Sequence, residues 1–319
     1  MNEIGKRLFS RGNYTAIVED AYCRIYRIND ATGDGLMTFY NVFPGVSVIC
    51  SDFHMLSCES AFQPDCDMLC IDHCREGRME QEVEAGTYSF LKAGDLKVDR
   101  RIHHAGHVEF PLQHFHGISI IFQMEQATKA LPEEMKGFPV DLYAIQKKYC
   151  NDQHPFVIPA EPCIEHIFSE LYTVPVQIKE YYFKVKIFEL LLYLDALEIT
   201  DTKEERPYFY KTQVEKIKAI HKLLTENLEK HYTLEQLSAQ FDLSLTTMKY
   251  CFKSTYGNSL FAYMRVYRMN YAANLLRQER DLSIAEIAGK VGYDSPGKFS
   301  TAFRDVMGSA PLAYRKFVV

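Results

Sequence analysis

The spacing of apolar residues changes character near residue 126. Before that point, β-branched and aromatic runs alternate with polar residues at Cys23–Ile28, Met37–Val42, Val46–Phe53, Met68–Arg75, Gly86–Leu91, Leu96–Arg101 and Gly117–Gln123. Gly33-Asp34-Gly35, Pro44-Gly45, Glu76-Gly77 and Ala93-Gly94-Asp95 punctuate them with turn-forming residues. Many short strands with regular turns predict a barrel or double-sheet roll, which can enclose a small ligand. From about Gln126 the period becomes helical, with further segments at 141–150, 160–173 and 178–199. The last is apolar on nearly every side, so its own domain or a second copy of the chain must cover it.

Beyond a polar stretch at 200–206, TDTKEER, a second helical pattern is written twice. Thr233 corresponds to Ser283 and Leu237 to Ile287, 50 positions apart; Ser244 then corresponds to Ser295, Phe252 to Phe303, Gly257 to Gly308 and Tyr263 to Tyr314, 51 apart. The extra residue falls in the turn, where length is tolerated. Each copy opens on a capping box, Thr233 with Gln236 and Ser283 with Glu286. Ser244 and Ser295 are placed to cap a second helix, and Pro296 fits its first turn. Met248 with Phe252, and Phe299 with Phe303, lie four apart and predict the buried face. Two copies are too few for a solenoid, so tandem helix-turn-helix units joined by a helix from Leu260 to about Arg277 are expected. Such a helix is roughly 27 Å long, enough to hold two reading heads about one DNA turn apart. Phe261, Met264, Tyr267, Tyr271, Leu275 and an Ala pair are expected to pack it against both units.

The residues left outward at the start of the second helices are Thr246, Thr247, Lys249 and Tyr250 in one copy, and Gly297, Lys298, Ser300 and Thr301 in the other. Hydroxyl, cationic and aromatic groups there suit a major-groove reader. Together with Ser244, Lys253, Arg268, Ser295, Pro296 and Arg304 they form the candidate DNA-binding set. By spacing alone, Arg265 and Arg268 serve equally as solubilising surface residues.

This region resembles the DNA-binding domain of the AraC/XylS family of bacterial transcription regulators. The resemblance rests on Arg268, Ala272, Leu275, Leu276, Ile287, Ala288, Gly292 and Tyr293, then Ser295, Pro296, Phe299, Phe303, Gly308, Pro311, Tyr314 and Arg315. It implies base contacts from Thr246, Lys249 and Tyr250 in the first unit and from Pro296, Gly297 and Thr301 in the second. The latter three offer little hydrogen bonding, so the second unit is expected to hold phosphates while the first reads sequence. The resemblance also implies RNA polymerase as a possible partner and activation as the usual outcome.

Charge divides along the same line. Pro207–Val319 carries 16 Lys and Arg against 10 Asp and Glu, a net of +6, which leaves −12 for the rest of a chain whose total is −6. Nucleic acid responds to the local field, so an acidic front with a basic tail fits one sensing module and one DNA module. DNA half-sites commonly mirror protein two-fold symmetry, which favours a homodimer. The first fourteen residues, MNEIGKRLFSRGNY, lack a signal-peptide run, and charges break the greasiest segment, so a cytoplasmic chain without a membrane span is expected. Nine cysteines then read as reduced, mostly structural thiols.

Three constellations in the front half invite chemistry. Cys66, Cys70 and Cys74 recur every four residues, about 13 Å on a strand, too far apart to meet on one metal. His114 and His116 point the same way on a strand, with His103, His104 and His107 just upstream; His103, His114 and His116 are the candidate ligand-binding residues. The stretch resembles the cupin metal motif, but Ile120 and Ile121 stand where its acid belongs, so no metal or other cofactor is expected. The strings HCREGRMEQEV from His73 and FPLQHFHGISI from Phe110 are similar to the sensor half of the siderophore-responsive, pyochelin-regulator-like branch of the family. That implies a small, aromatic or iron-chelating effector. Arg75, Glu76 and Arg78 read equally as a solvated hairpin end.

No Gly-rich phosphate loop, GxSxG elbow or HExxH pair is present, which weakens an enzymatic reading. The expected chain is α+β. Residues 1–125 form a β-rich, cupin-like ligand-sensing roll and 126–199 a helical packing and dimerisation segment. A linker at 200–210 leads to an all-α double helix-turn-helix DNA-binding domain at 211–319. Its partners are double-stranded DNA and a small-molecule effector. A metal- or thiol-redox-sensing regulator, a sensor of a protein partner and, less favoured, a cupin-like enzyme fused to a DNA module are the alternatives.

Overall fold

A computed structural model describes residues 14–20, 22–60, 62–84, 87–102, 106–151, 154–199, 209–279 and 281–317. The chain forms two compact units, Met1–Tyr208 and Phe209–Val319. His103 and the polar stretch at 200–206 lie outside the described residues.

The first unit is a curled antiparallel sheet. Its strands are β1 (Tyr14–Glu19), β2 (Cys23–Asp30), β3 (Gly33–Phe43), β4 (Val46–His54), β5 (Ser57–Ser60), β6 (Met68–Glu84), β7 (Thr87–Lys92), β8 (Leu96–Asp99), β9 (Gly106–Glu109), β10 (Phe115–Gln123) and β11 (Phe156–Ile158). Along the sheet the order is β1-β2-β3-β4-β10-β6, with β8 also on β6 and β11 on β8. The distal half of β6 leaves this sheet to pair with β7 and, through Glu80 and Gln81, with β9, which in turn pairs β5. One long strand therefore serves two layers, and its bend closes the roll.

That bend corrects one expectation. Glu76-Gly77 is not a turn but a bulge within β6: Cys74 pairs Gly117 and Glu76 pairs His116, leaving Arg75 as the extra residue. Gly77 has φ +84°, and a Cβ there would lie 1.9 Å from the His114 carbonyl oxygen, so only glycine fits. Gly33-Asp34-Gly35 likewise belongs to β3, and the turn falls at residues 31–32. The run from Leu96 stops as a strand at Asp99, because Arg101 turns into the left-handed region with φ +58°.

Side-chain alternation puts two cores on the two faces of this sheet. Val46, Val48, Leu69, Ile71, Ile120 and Phe122 pack against helices α1 (Met124–Glu134), α2 (Leu142–Tyr149), α3 (Pro162–Tyr172) and α4 (Lys179–Ala196). Alternate residues, including Tyr26, Ile49, Phe53, Cys70, Phe115 and Ile121, line the inside of the roll. Cys70 and Cys74 are buried on β6 as unoxidised thiols, and burial pushes the Cys74 thiol up to about 12, which suits packing residues. Helix α4 buries Phe183, Ile187, Leu190, Leu191 and Leu194 in its own unit, yet leaves Tyr181 70%, Val185 60% and Leu192 45% exposed.

The second unit is all helical apart from its first residues: α5 (Lys211–Glu226), α6 (Leu234–Phe241), α7 (Leu245–Tyr256), α8 (Leu260–Gln278), α9 (Ile284–Lys290), α10 (Pro296–Met307) and α11 (Pro311–Phe317). Thr233 and Ser283 each close a reciprocal capping box, with Oγ accepting from the N–H of Gln236 at 3.1 Å and of Glu286 at 3.2 Å. Substituting such a cap typically costs about 1 kcal/mol. Met248, Phe252, Phe299 and Phe303 are fully buried, and each aromatic contributes roughly 1.5–3 kcal/mol by leaving water. On α8 the packing face is Leu260, Met264, Met269, Ala272, Ala273 and Leu276. Phe261 and Tyr271 point outward instead, because the buried stripe runs along the other side of the helix.

Candidate nucleic-acid interface and sensor cavity

Helices α6 and α7 form one helix-turn-helix, and α9 and α10 a second, with α8 between them. The first turn is tight: Asp242 caps α6 in the left-handed region at φ +49°, and two residues later Ser244 caps α7, its Oγ accepting from Thr247 N–H at 3.1 Å. In the second, Gly292 takes φ +78° and Ser295 caps α10, accepting from Lys298 N–H at 3.4 Å. A Cβ at Gly292 would stand 2.5 Å from the Leu228 carbonyl oxygen, so glycine is required there.

At the start of α7, Ser244, Thr246, Lys249, Tyr250 and Lys253 are exposed on a helix whose opposite face is core, and Thr247 is half-buried with its hydroxyl accepting from Ser244. The corresponding surface of α10 carries exposed Pro296, Gly297, Lys298, Thr301 and Arg304. The hydroxyls of Ser300 and Thr301 donate back to the carbonyls of Pro296 at 2.8 Å and Gly297 at 3.1 Å. The two heads therefore present different chemistry: Thr246, Lys249 and Tyr250 on α7, a cationic rim with internally bonded hydroxyls on α10.

Arg268 sits differently from the rest of the candidate set. Half-buried on α8, it donates to the Lys230 carbonyl at 3.1 Å, and its guanidinium packs beside Gly292, whose carbonyl oxygen accepts from His231 Nε2 at 2.8 Å. It ties the chain before α6 to the turn before α10. Arg265 pairs with Asp305 at 2.6 Å across α8 and α10. Arg277 on Tyr314, and Arg315 donating to Leu282 O at 2.7 Å, hold the last helix, roles that residue type alone does not disclose.

The roll of the first unit contains an open cavity of about 100 Å³. Phe53, Phe62, Phe110, Phe115, Ile28 and Ile121 make most of its wall apolar, whereas Asp72, Arg101, Ser51 and Ser119 supply polar groups. Arg101 pairs with Asp72, Ser119 donates to Asp72 at 2.6 Å, and Lys97 lies 3.1 Å from Asp72 and 3.3 Å from Asp99. Two buried cations and two buried carboxylates thus offset one another, the condition under which buried charge is tolerated. An apolar cavity with a few convergent polar groups is the usual form of a small-molecule site. Sequence reading missed Asp72, Arg101 and Ser119. Their one signal is polar residues at inward positions of otherwise apolar strands.

His114 and His116 do not line this cavity. They alternate with Phe115, whose ring points inward, and so face the helix-bearing side of the sheet. His116 packs edge-on to Tyr172 at 5.0 Å, and Arg75 lies over that ring at 4.9 Å; Arg75 and Glu76 are exposed as expected, but at a bulge within β6 rather than a hairpin end, and Arg78 is buried. His73 on the same face stacks on Phe168 at 4.3 Å, and burial holds its imidazole down to about 4.

The Helix-turn-helix domain family matches residues 237–316, within the second unit and across both of its helix-turn-helix pairs. The transcriptional regulator ExsA of Pseudomonas aeruginosa is 37% identical over 93 residues, 28% of this chain and 33% of its own length. The second unit is an AraC-type helix-turn-helix domain. The F1 operon positive regulatory protein of Yersinia pestis is 35% identical over 100 residues, 31% of this chain and 33% of its own. A solved structure of the DNA-binding domain of AdpA in complex with a target DNA is 30% identical over 31% of this chain and 89% of that one, with a TM-score of 0.30. The chain matches about 28–33% of the length of the first of these curated relatives. Among the described residues no helix is long and apolar enough to cross a membrane.

Proposed function

We propose that this chain is a sequence-specific transcription regulator whose grip on double-stranded DNA is set by a small molecule bound in the cupin-like roll. The observation that carries the reading is the pairing of two capped helix-turn-helix units on one helix with a separate apolar cavity in the sensor unit. Thr246, Lys249 and Tyr250 read bases in the major groove, and Lys298 and Arg304 hold phosphates. The cavity favours an effector with an apolar, ring-bearing body and a hydrogen-bonding head that meets Asp72, Arg101 and Ser119. The front-half likeness to the siderophore-responsive branch puts aromatic chelators among the candidates.

The exposed stripe of Ile178, Tyr181, Val185 and Leu192 follows a three-four-seven spacing, that of a helix seam, and is the surface through which two chains associate. A dimer brings four reading heads to adjacent half-sites, and a ligand changes their engagement only as far as it binds the two arrangements unequally. Such a regulator works in the bacterial cytoplasm, with RNA polymerase as the partner if its output is activation.

Selection from randomised duplexes with the full chain tests the DNA reading: a defined motif is expected, and uniform, sequence-blind binding refutes it. A thermal-shift screen of aromatic metabolites and ferric chelates tests the effector reading. A ligand at 100 times its Kd should stabilise the chain by about 2.7 kcal/mol. A hit whose shift survives Arg101→Met refutes the cavity as its site.

A further inference from the structure

We propose that Asp52, His54 and His114 form a binding site for a divalent transition cation of the zinc class, on the helix-bearing face of the sheet and outside the cavity. Asp52 and His54 are two apart at the end of β4, hence on one face, and His114 immediately precedes β10, the strand paired to β4. Each offers one ligand atom, and the three atoms lie within 4.8 Å of one another. Around a tetrahedral ion with bonds of about 2.0–2.2 Å, donors stand roughly 3.3–3.6 Å apart. His54 Nε2 and Asp52 Oδ1 are already 3.2 Å apart, so closing the set needs only a rotamer-scale movement of exposed side chains.

Two further observations point to a cation. Glu76 Oε2 lies 3.5 Å from His114 Nε2, the carboxylate–histidine arrangement that orients an imidazole for a metal on its other nitrogen. That other nitrogen, His114 Nδ1, is buried with no hydrogen-bond partner among the described residues. A buried imidazole nitrogen left in that state calls for a partner, and a cation supplies one. The His54 and His114 rings are 4.9 Å apart and tilted by 30°, close enough for both imidazoles to reach one ion. The local backbone is fixed: Gln113 sits at φ +57°, and the Gly77 bulge packs under the His114 carbonyl.

Two imidazoles and one carboxylate suit zinc, cobalt or nickel better than calcium or magnesium, which prefer all-oxygen sets. The partner of His114 is thus His54, from the neighbouring strand, rather than His116. Three protein donors leave a coordination position open to solvent. Phe53, between Asp52 and His54, and Phe115, after His114, face the cavity, so an ion here pins one end of its wall.

The test uses the chelator-stripped full chain titrated with Co2+ and Zn2+, reading ligand-field absorption for the first and calorimetry for the second. One equivalent is expected to bind with a cobalt spectrum of mixed nitrogen and oxygen donors, and His54→Ala and His114→Ala should each weaken binding by more than about tenfold. His116→Ala should leave it unchanged. His54 is exposed, so His54→Ala should keep the metal-free thermal midpoint, which separates loss of binding from loss of fold. No bound equivalent, a spectrum unaltered in both His54→Ala and His114→Ala, or loss on His116→Ala alone would overturn the proposal.

Discussion

Lys249→Ala separates the two reading heads by experiment. Lys249 stands exposed on the outer face of α7, one turn in from the Ser244 cap and beside Thr246 and Tyr250. Lysine and alanine are both good helix formers, and the buried face of Met248 and Phe252 is untouched, so stability should change by only a few tenths of a kcal/mol. Loss of a base contact should cost about 1–3 kcal/mol, or roughly 5- to 150-fold in Kd, and relax the preference at one base position. Lys298→Ala on α10 should behave otherwise. Next to Pro296 and Gly297, it has phosphate as its natural partner, so its loss should weaken all sites alike and lower the salt slope by about 0.9. Competition binding against randomised duplexes at several salt concentrations reads both quantities at once. If Lys249→Ala keeps the parental motif and affinity, or Lys298→Ala alters the motif, the division of labour between the heads is wrong.

Three other perturbations follow from the packing. Gly292→Ala forces a Cβ to 2.5 Å from the Leu228 carbonyl oxygen at φ +78°, so the second unit should lose at least about 1–3 kcal/mol; an unchanged thermal midpoint would refute the fit. Val185→Glu puts a charge on the exposed stripe of α4 without touching its buried face, and on the proposed dimer sedimentation should show a shift to monomer relative to the parent; an unchanged sedimentation profile places any interface elsewhere. Burial holds the His221 imidazole at about 4, below its usual 6.5, so the unfolded chain protonates first. His221 therefore contributes fully above pH 6.5 and loses its contribution as pH falls towards 4; His221→Gln should flatten that part of the melting profile, and an equally steep profile would count against it.

The C-terminal unit was legible because its signals are local. Thr233 with Gln236 and Ser283 with Glu286 are three residues apart, and their hydrogen bonds form wherever those residues begin a helix. The apolar pairs four apart on α7 and α10 needed no knowledge of distant sequence either. What failed was the facing of α8: its stripe is set by which side meets two units at once, and Phe261 and Tyr271 lost that contest to Met269 and Leu276.

In the first unit the strands were legible and their partners were not. Alternation marks Met68–Arg75 as a strand, but only the bulge opposite His116 and Gly117 shows that the chain runs on through Gly77 into a second layer. Four-residue strands such as β5 and β9 carry too few alternations to stand out. The same non-locality governs chemistry. His114 and His116 are paired by sequence spacing, yet the register of β4 against β10 brings Asp52 and His54 to that end of the sheet. Asp72, Arg101 and Ser119 meet across 47 residues of chain because β6 and β10 pair and Arg101 leaves the strand line. Register turns residues that look unremarkable one at a time into a site, so the DNA head could be read from its own sequence while the cavity and the histidine cluster required the sheet.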